Sequence, residues 1–85
     1  MSKTIILTAH ARLRMAERKL PLAWIERTAR HPDWVEPEPL APSVERRFRA
    51  IVEFGGRILR VACVETDSEI RIITVTFDRN ARRTS

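Results

Sequence analysis

Apolar and polar positions alternate with two different periods along this chain, and the change of period marks its organisation. Residues 4–7 (Thr-Ile-Ile-Leu) are a short run, mostly β-branched, which predicts a strand. Thr8 then has the chemistry of a helix N-cap, because its hydroxyl can accept a free amide of the first turn. A helix is predicted over about 9–19, with Ala9, Leu13, Ala16 and Leu20 as its buried stripe. Ala11 and Met15 fill a third side. A second helix is predicted to start at Pro21, with Leu22, Ile25 and Ala29 buried and Trp24 and Thr28 beside them. It ends at His31-Pro32, since a residue before proline avoids the α region.

The period then drops to two. Strands are expected at about 44–54, 57–66 and 69–77. Gly55-Gly56 suits a type I′ turn, where both central residues need positive φ. That turn would set Val52 opposite Leu59, Ala50 opposite Val61 and Phe48 opposite Cys63, all facing the core. Arg47, Arg49 and Arg60 would then share the outer face with Ile51, Ile58 and Val64. For the third strand, a three-residue loop buries Ile73, Val75 and Phe77, and a two-residue loop reverses this. The first is preferred because it buries the larger side chains. The expected fold class is α+β: two N-terminal helices packed on an antiparallel sheet of three to four strands, as a single domain over 1–85. Residues 32–42 carry four of the five prolines and read as an ordered, irregular crossing loop, and 79–85 as a mobile basic tail.

Composition narrows the function classes. The chain has 85 residues, 32% of them charged and 44% hydrophobic, which suits one globular domain. One cysteine, Cys63, excludes an internal disulfide. No stretch is long and apolar enough to span a membrane, and no signal-peptide pattern opens the chain, so the expected setting is cytoplasmic. Two histidines and one cysteine make no metal site, and two adjacent glycines make no phosphate loop, so no metal or cofactor is expected.

The charge distribution is uneven. Residues 3–31 hold seven bases against two acids, residues 32–42 hold three acids and no base, and residues 43–85 hold nine arginines against six acids. The formal net charge is +5, and all but two of the bases are arginine. Guanidinium grips phosphate with two parallel bonds, so RNA is a natural partner, although an arginine-rich composition also follows from codon usage. Two sets of residues could carry chemistry. His10, Arg14 and Arg18 recur every four residues along one helix edge, where a histidine could move protons beside a held phosphate. Arg47, Arg49 and Arg60 would form an anion site on the outer sheet face, unless the acidic 32–42 segment covers them. Among the aromatics, Trp34 is the one left free to stack on a base or a partner.

The run Thr8-Ala9-His10-Ala11-Arg12-Leu13-Arg14-Met15-Ala16-Glu17-Arg18 resembles the opening signature of the domain-of-unknown-function family 4258. Trp24-Ile25-Glu26, His31-Pro32-Asp33, the arginine-bearing strand from Arg46 to Ile51, Gly56-Arg57-Ile58-Leu59-Arg60-Val61 and Ile72-Ile73-Thr74-Val75 extend the likeness over nearly the whole chain. Pro21, where a serine-type cap is usual, and the long Pro-rich loop depart from it. That family is similar to the RelE/ParE toxin superfamily, which implies two N-terminal helices on an antiparallel sheet. It also implies a toxin-antitoxin setting, with messenger-RNA endonucleases and gyrase inhibitors among the members. The resemblance transfers no catalytic residue. Two functions are therefore expected in competition. One is a toxin-type, RNA-directed protein acting as a metal-independent endoribonuclease or RNA binder, with His10 as acid or base and Arg14, Arg18, Arg47, Arg49 and Arg60 on the phosphate. The other is a non-enzymatic module that binds a protein, such as an antitoxin or a second copy of itself, through the sheet face.

Overall fold

The computed structural model describes residues 3–81. The chain runs β1 (Thr4–Leu7), α1 (Ala9–Arg18), α2 (Leu22–Arg30), β2 (Trp34–Pro37), β3 (Glu45–Ile51), β4 (Arg57–Glu65) and β5 (Glu69–Phe77). The five strands form one mixed sheet in the order β1-β5-β4-β3-β2, with β1 parallel to β5 and the other pairs antiparallel. The expected sheet of three to four antiparallel strands is thus too small. The α+β class and the two N-terminal helices hold. Side chains from both helices join Ile51, Leu59, Val61, Cys63, Ile70, Ile72 and Val75 in one core, so both helices lie on the same face of the sheet.

Thr8 fixes how α1 sits. Its hydroxyl accepts from the Ala11 amide at 3.2 Å and donates to the Ile73 carbonyl at 3.1 Å, and its own amide donates to the Ile72 carbonyl at 3.0 Å. Anchored in this way to β5, the helix turns Ala11 and Met15 inward and leaves Leu13 55% exposed. The expected stripe of Ala9, Leu13, Ala16 and Leu20 is corrected: only Leu20 is buried. Both rows are apolar at helical spacing, and the small Ala11 lets the backbone approach the sheet where a leucine would hold it off. Lys19 closes the helix in the left-handed conformation, φ 53°, and tucks Leu20 into the core. Helix α2 starts after Pro21 and buries Ile25, Thr28 and Ala29, while Leu22 stays 45% exposed.

The segment expected as an irregular loop contains an edge strand. In β2, Trp34 pairs with Phe48 and Glu36 with Arg46. Pro32 and Pro37 bracket the alternating residues, and a proline at the end of an edge strand costs no ladder bond. Residues 38–44 form the turn into β3, closed by the Glu38 amide on the Val44 carbonyl at 3.0 Å.

The register of β3 and β4 is the largest correction. Both glycines have positive φ, 67° at Gly55 and 75° at Gly56, as expected of the turn. Yet Val52–Phe54 coil into a single 3₁₀ turn, and the Gly56 amide reaches back to the Ile51 carbonyl at 2.9 Å. Ile51 therefore pairs with Arg57, Arg49 with Leu59 and Arg47 with Val61. This differs from the expected pairing by an odd number of residues, so every β3 side chain changes face. Ile51 becomes fully buried and Val52 is 83% exposed. In β5, a bulge opposite Ala62 and Cys63 lets Thr74 pair with Ala62 and Ile72 with Cys63. Each half of β5 thus follows a different one of the two loop expectations, and Ile70, Ile72 and Val75 are all buried. Of the expected basic tail, residues 79–81 form a turn and 82–85 lie outside the described residues.

Candidate nucleic-acid interface

The arginines of the expected outer-face site do not share a face. Arg47 and Arg49 point toward the helices, and both reach the C-terminal end of α2. One Arg47 Nη donates to the Ala29 carbonyl at 2.7 Å, and one Arg49 Nη donates to the His31 carbonyl at 2.5 Å. The last carbonyls of a helix lack intrahelical donors and carry the negative end of its dipole, so two guanidiniums there act as a C-cap. Arg47 is only 8% exposed. Its Nε and second Nη bind Glu45 at 3.2 and 2.7 Å, and that Nη also binds Glu65 at 2.6 Å. Burial opposes the Arg47 charge most, but the bonds to Glu45 and Glu65 outweigh it, and its pKa lies above the ordinary arginine value. Lys3 completes a ladder by binding Glu65 at 2.6 Å. Lys3 first and Arg47 second hold the Glu65 carboxyl down at about 2. Arg49 is 3.9 Å from Asp33, whose other oxygen accepts from the Ala50 amide at 2.9 Å.

Arg60 remains on the outer face, where Trp34, Phe48, Arg60 and Thr76 form one cross-strand row. Arg60 binds Asp78 at 3.0 Å, Arg71 binds Glu69 at 2.9 Å, and Arg46 grips Glu38 with two bonds at 2.8 and 3.1 Å. This face is therefore neutralised by its own carboxylates. The acidic 32–42 segment does meet arginines: Asp33 approaches Arg49, one of the expected set, and Glu38 holds Arg46, which was not. Trp34 stacks on Phe48 with ring centroids 4.7 Å apart and planes 2° from parallel. Phe48 is only 3% exposed beneath this stack, and Ile58 and Val64 on the same face are half-buried.

The charge on α1 is different. His10, Arg12, Arg18 and Lys19 are exposed, and among the described residues none has a carboxylate partner. Arg14 meets Glu17 only at 3.4 Å, a long contact on an exposed surface. Four permanent cations on α1 and its cap thus face a single acid. Arg18 and Lys19 also sit at the helix end where a positive charge is favoured. His10, Arg14 and Arg18 recur one turn apart, about 6 Å along the axis. Arg12 and Lys19 are the residues that the spacing-by-four argument passed over, and the local imbalance of base over acid is the signal that finds them. No described hydrogen bond joins His10 to Arg47, Arg49 or Arg60. They stand on separate elements, with α1 against β5 and β1 and the two sheet arginines of β3 under α2.

Other chemistry has little footing. Burial raises the Cys63 thiol to about 11, so it is a poor nucleophile. His31 lines a cleft of about 280 Å³ with Lys3, Arg30, Arg47 and Glu65, but Lys3 and Arg47 are already held by Glu65. Among the described residues no cluster of His, Cys, Asp and Glu could hold a metal ion, and no helix is long and apolar enough to cross a membrane. The family model described as "Domain of unknown function (DUF4258)" matches residues 7–77. No curated protein and no solved structure matches the chain.

Proposed function

This chain belongs to the DUF4258 family, and from that premise we propose that it is an RNA-directed protein of toxin type that grips the phosphate backbone through α1. The observation that carries this reading is the uncompensated charge of α1, where Arg12, Arg14, Arg18 and Lys19 meet only Glu17. A polyanion releases counterions when it binds such a surface, and this gain is independent of sequence. The RelE/ParE likeness belongs to the same proposal, supported by two N-terminal helices on one face of a sheet. A reducing cytoplasm goes with it, where the lone buried thiol stays unpaired.

In this reading the protein binds RNA without cutting it. His10 is exposed, and among the described residues no side chain holds or orients its ring. The test is a titration of short single-stranded RNA at rising salt, with cleavage followed on the same samples. Affinity should fall steeply between about 50 and 200 mM salt, with the RNA intact. Cleavage that disappears in His10→Ala would restore the endoribonuclease expectation. Absence of binding at low salt would remove the RNA reading.

A second reading rests on the outer sheet face. Its arginines are paired internally, and Trp34, Ile58 and Val64 lie among them. A neutral, partly apolar face suits a protein partner better than a polyanion. A Val64→Asp change that abolishes self-association or partner capture without altering RNA affinity would support it.

A further inference from the structure

A second basic feature lies away from α1, at the hairpin end of the sheet. Gly56, Arg57, Ile58, Phe77, Asp78 and Arg79 line a cavity of about 380 Å³ there. Phe77, on the helix side of the sheet, gives it an aromatic wall, and Ile58 borders it from the other face. Phe77 belongs to an aromatic cluster with Phe54 at 5.0 Å and Trp24 at 6.5 Å between ring centroids. Arg57 and Arg79 stand at the rim, both exposed, and neither has a carboxylate partner among the described residues. The Arg57 guanidinium lies 4.7 Å from the centroid of Phe54, which holds it beside the aromatic wall. Asp78, the one acid in the lining, is already bound to Arg60 at 3.0 Å. Gly56, at φ 75°, has open space where a side chain would stand, so the mouth is clear.

An aromatic wall beside two free guanidiniums matches a flat heterocycle joined to a phosphate. Cavities of this size hold small ligands by an apolar lining and a few placed polar groups. We propose that this cavity binds a nucleoside monophosphate unit, with the base against Phe77 and the phosphate between Arg57 and Arg79. The unit can come as a free nucleotide or as the phosphorylated end of an RNA strand. This goes beyond the α1 reading, because it uses different residues.

The fold provides its own reporter. Trp24 contacts Phe77, and the only other tryptophan is Trp34, so Trp34→Phe leaves Trp24 as the sole indole. AMP added to that variant should change Trp24 emission in a saturable way, and adenosine or inorganic phosphate alone should bind more weakly. Arg57→Ala and Arg79→Ala should each weaken AMP binding about tenfold. Both side chains are exposed, so the variants should melt like the parent. An oligonucleotide with a 5′-phosphate that binds more tightly than its hydroxyl-ended twin, by a margin lost in Arg79→Ala, would assign the RNA end. Equal affinity of the two strands, with AMP binding kept, would assign the free nucleotide. No saturable change at millimolar AMP, or AMP binding indifferent to both arginine changes, would overturn the proposal. An Arg12→Gln, Arg14→Gln, Arg18→Gln variant separates this site from α1, since it should lose RNA affinity and keep AMP.

Discussion

Arg12, Arg14 and Arg18 stand on α1 with one carboxylate, Glu17, within reach, whereas Arg47 and Arg49 stand on β3 with carboxylates and two helix-end carbonyls around them. The side chain is the same and its surroundings decide what it does. On α1 the guanidiniums keep donors free for a ligand and add little to stability, because an exposed charge is well hydrated. On β3 most donors are used inside the fold, although Arg49 Nε is buried without a partner. Four described hydrogen bonds hold Arg47, and removing it would leave the Ala29 carbonyl without its donor, Glu45 without its partner and Glu65 with Lys3 alone. A count of arginines cannot separate the two cases. A count of unpaired arginines can.

Four measurements bear on this comparison, in descending size of effect. The β3 register comes first, because it places Arg47 and Arg49 beneath α2. Ile51→Asp puts a charge at a site with no exposure, which should cost about 4 kcal/mol or more. The neighbouring Val52→Asp, at 83% exposure, should cost less than about 0.5 kcal/mol. Equal melting of the two variants, or the reverse order, would break the register and with it the comparison. Next is Arg47→Ala, which should cost about 2–4 kcal/mol. At about 4–8 °C per kcal/mol for a domain of this size, the melting temperature should fall by roughly 10 °C or more. Arg18→Ala should shift it hardly at all.

The third effect is a pH dependence and is smaller, since Glu65 is 35% exposed and partly screened. Its folded pKa, about 2, lies below the ordinary glutamate value. The ladder with Lys3 and Arg47 therefore contributes fully above about pH 4.3 and is lost as pH falls toward 2. Thermal melts should show stability falling through that window, with a shallower slope in Glu65→Gln. An identical slope in both proteins would mean that the ladder does not stabilise the fold.

How much of this was legible in the sequence depends on how each element is specified. The N-terminal strand, the Thr8 cap and the end of α2 at His31-Pro32 follow from local chemistry, and all are present. The rotation of α1 does not, because it is set by Thr8 bonding to carbonyls 64 and 65 residues away, a long-range contact. The Gly55-Gly56 turn was readable, but its length was not. The 3₁₀ turn at Val52–Phe54 takes up residues that alternate like strand, and the odd shift reversed the face of Arg47 and Arg49. Among the candidate site residues, the shared edge of His10, Arg14 and Arg18 was legible because helical spacing alone sets it. The sheet arginines depended on register and so were misplaced.

The smallest structural change makes the sharpest test. Two triple variants remove the same charge, Arg12, Arg14 and Arg18→Gln on α1 and Arg46, Arg60 and Arg71→Gln on the outer sheet face. Each lowers the net charge from +5 by three. The measurement is the slope of log affinity for single-stranded RNA against log salt, at matched protein fold. The account predicts that the α1 variant loses about two units of slope, at about 0.7 per phosphate contact, while the sheet variant keeps the parent slope. Equal losses in both would mean that RNA senses only total charge, and a loss confined to the sheet variant would contradict the assignment of the interface to α1.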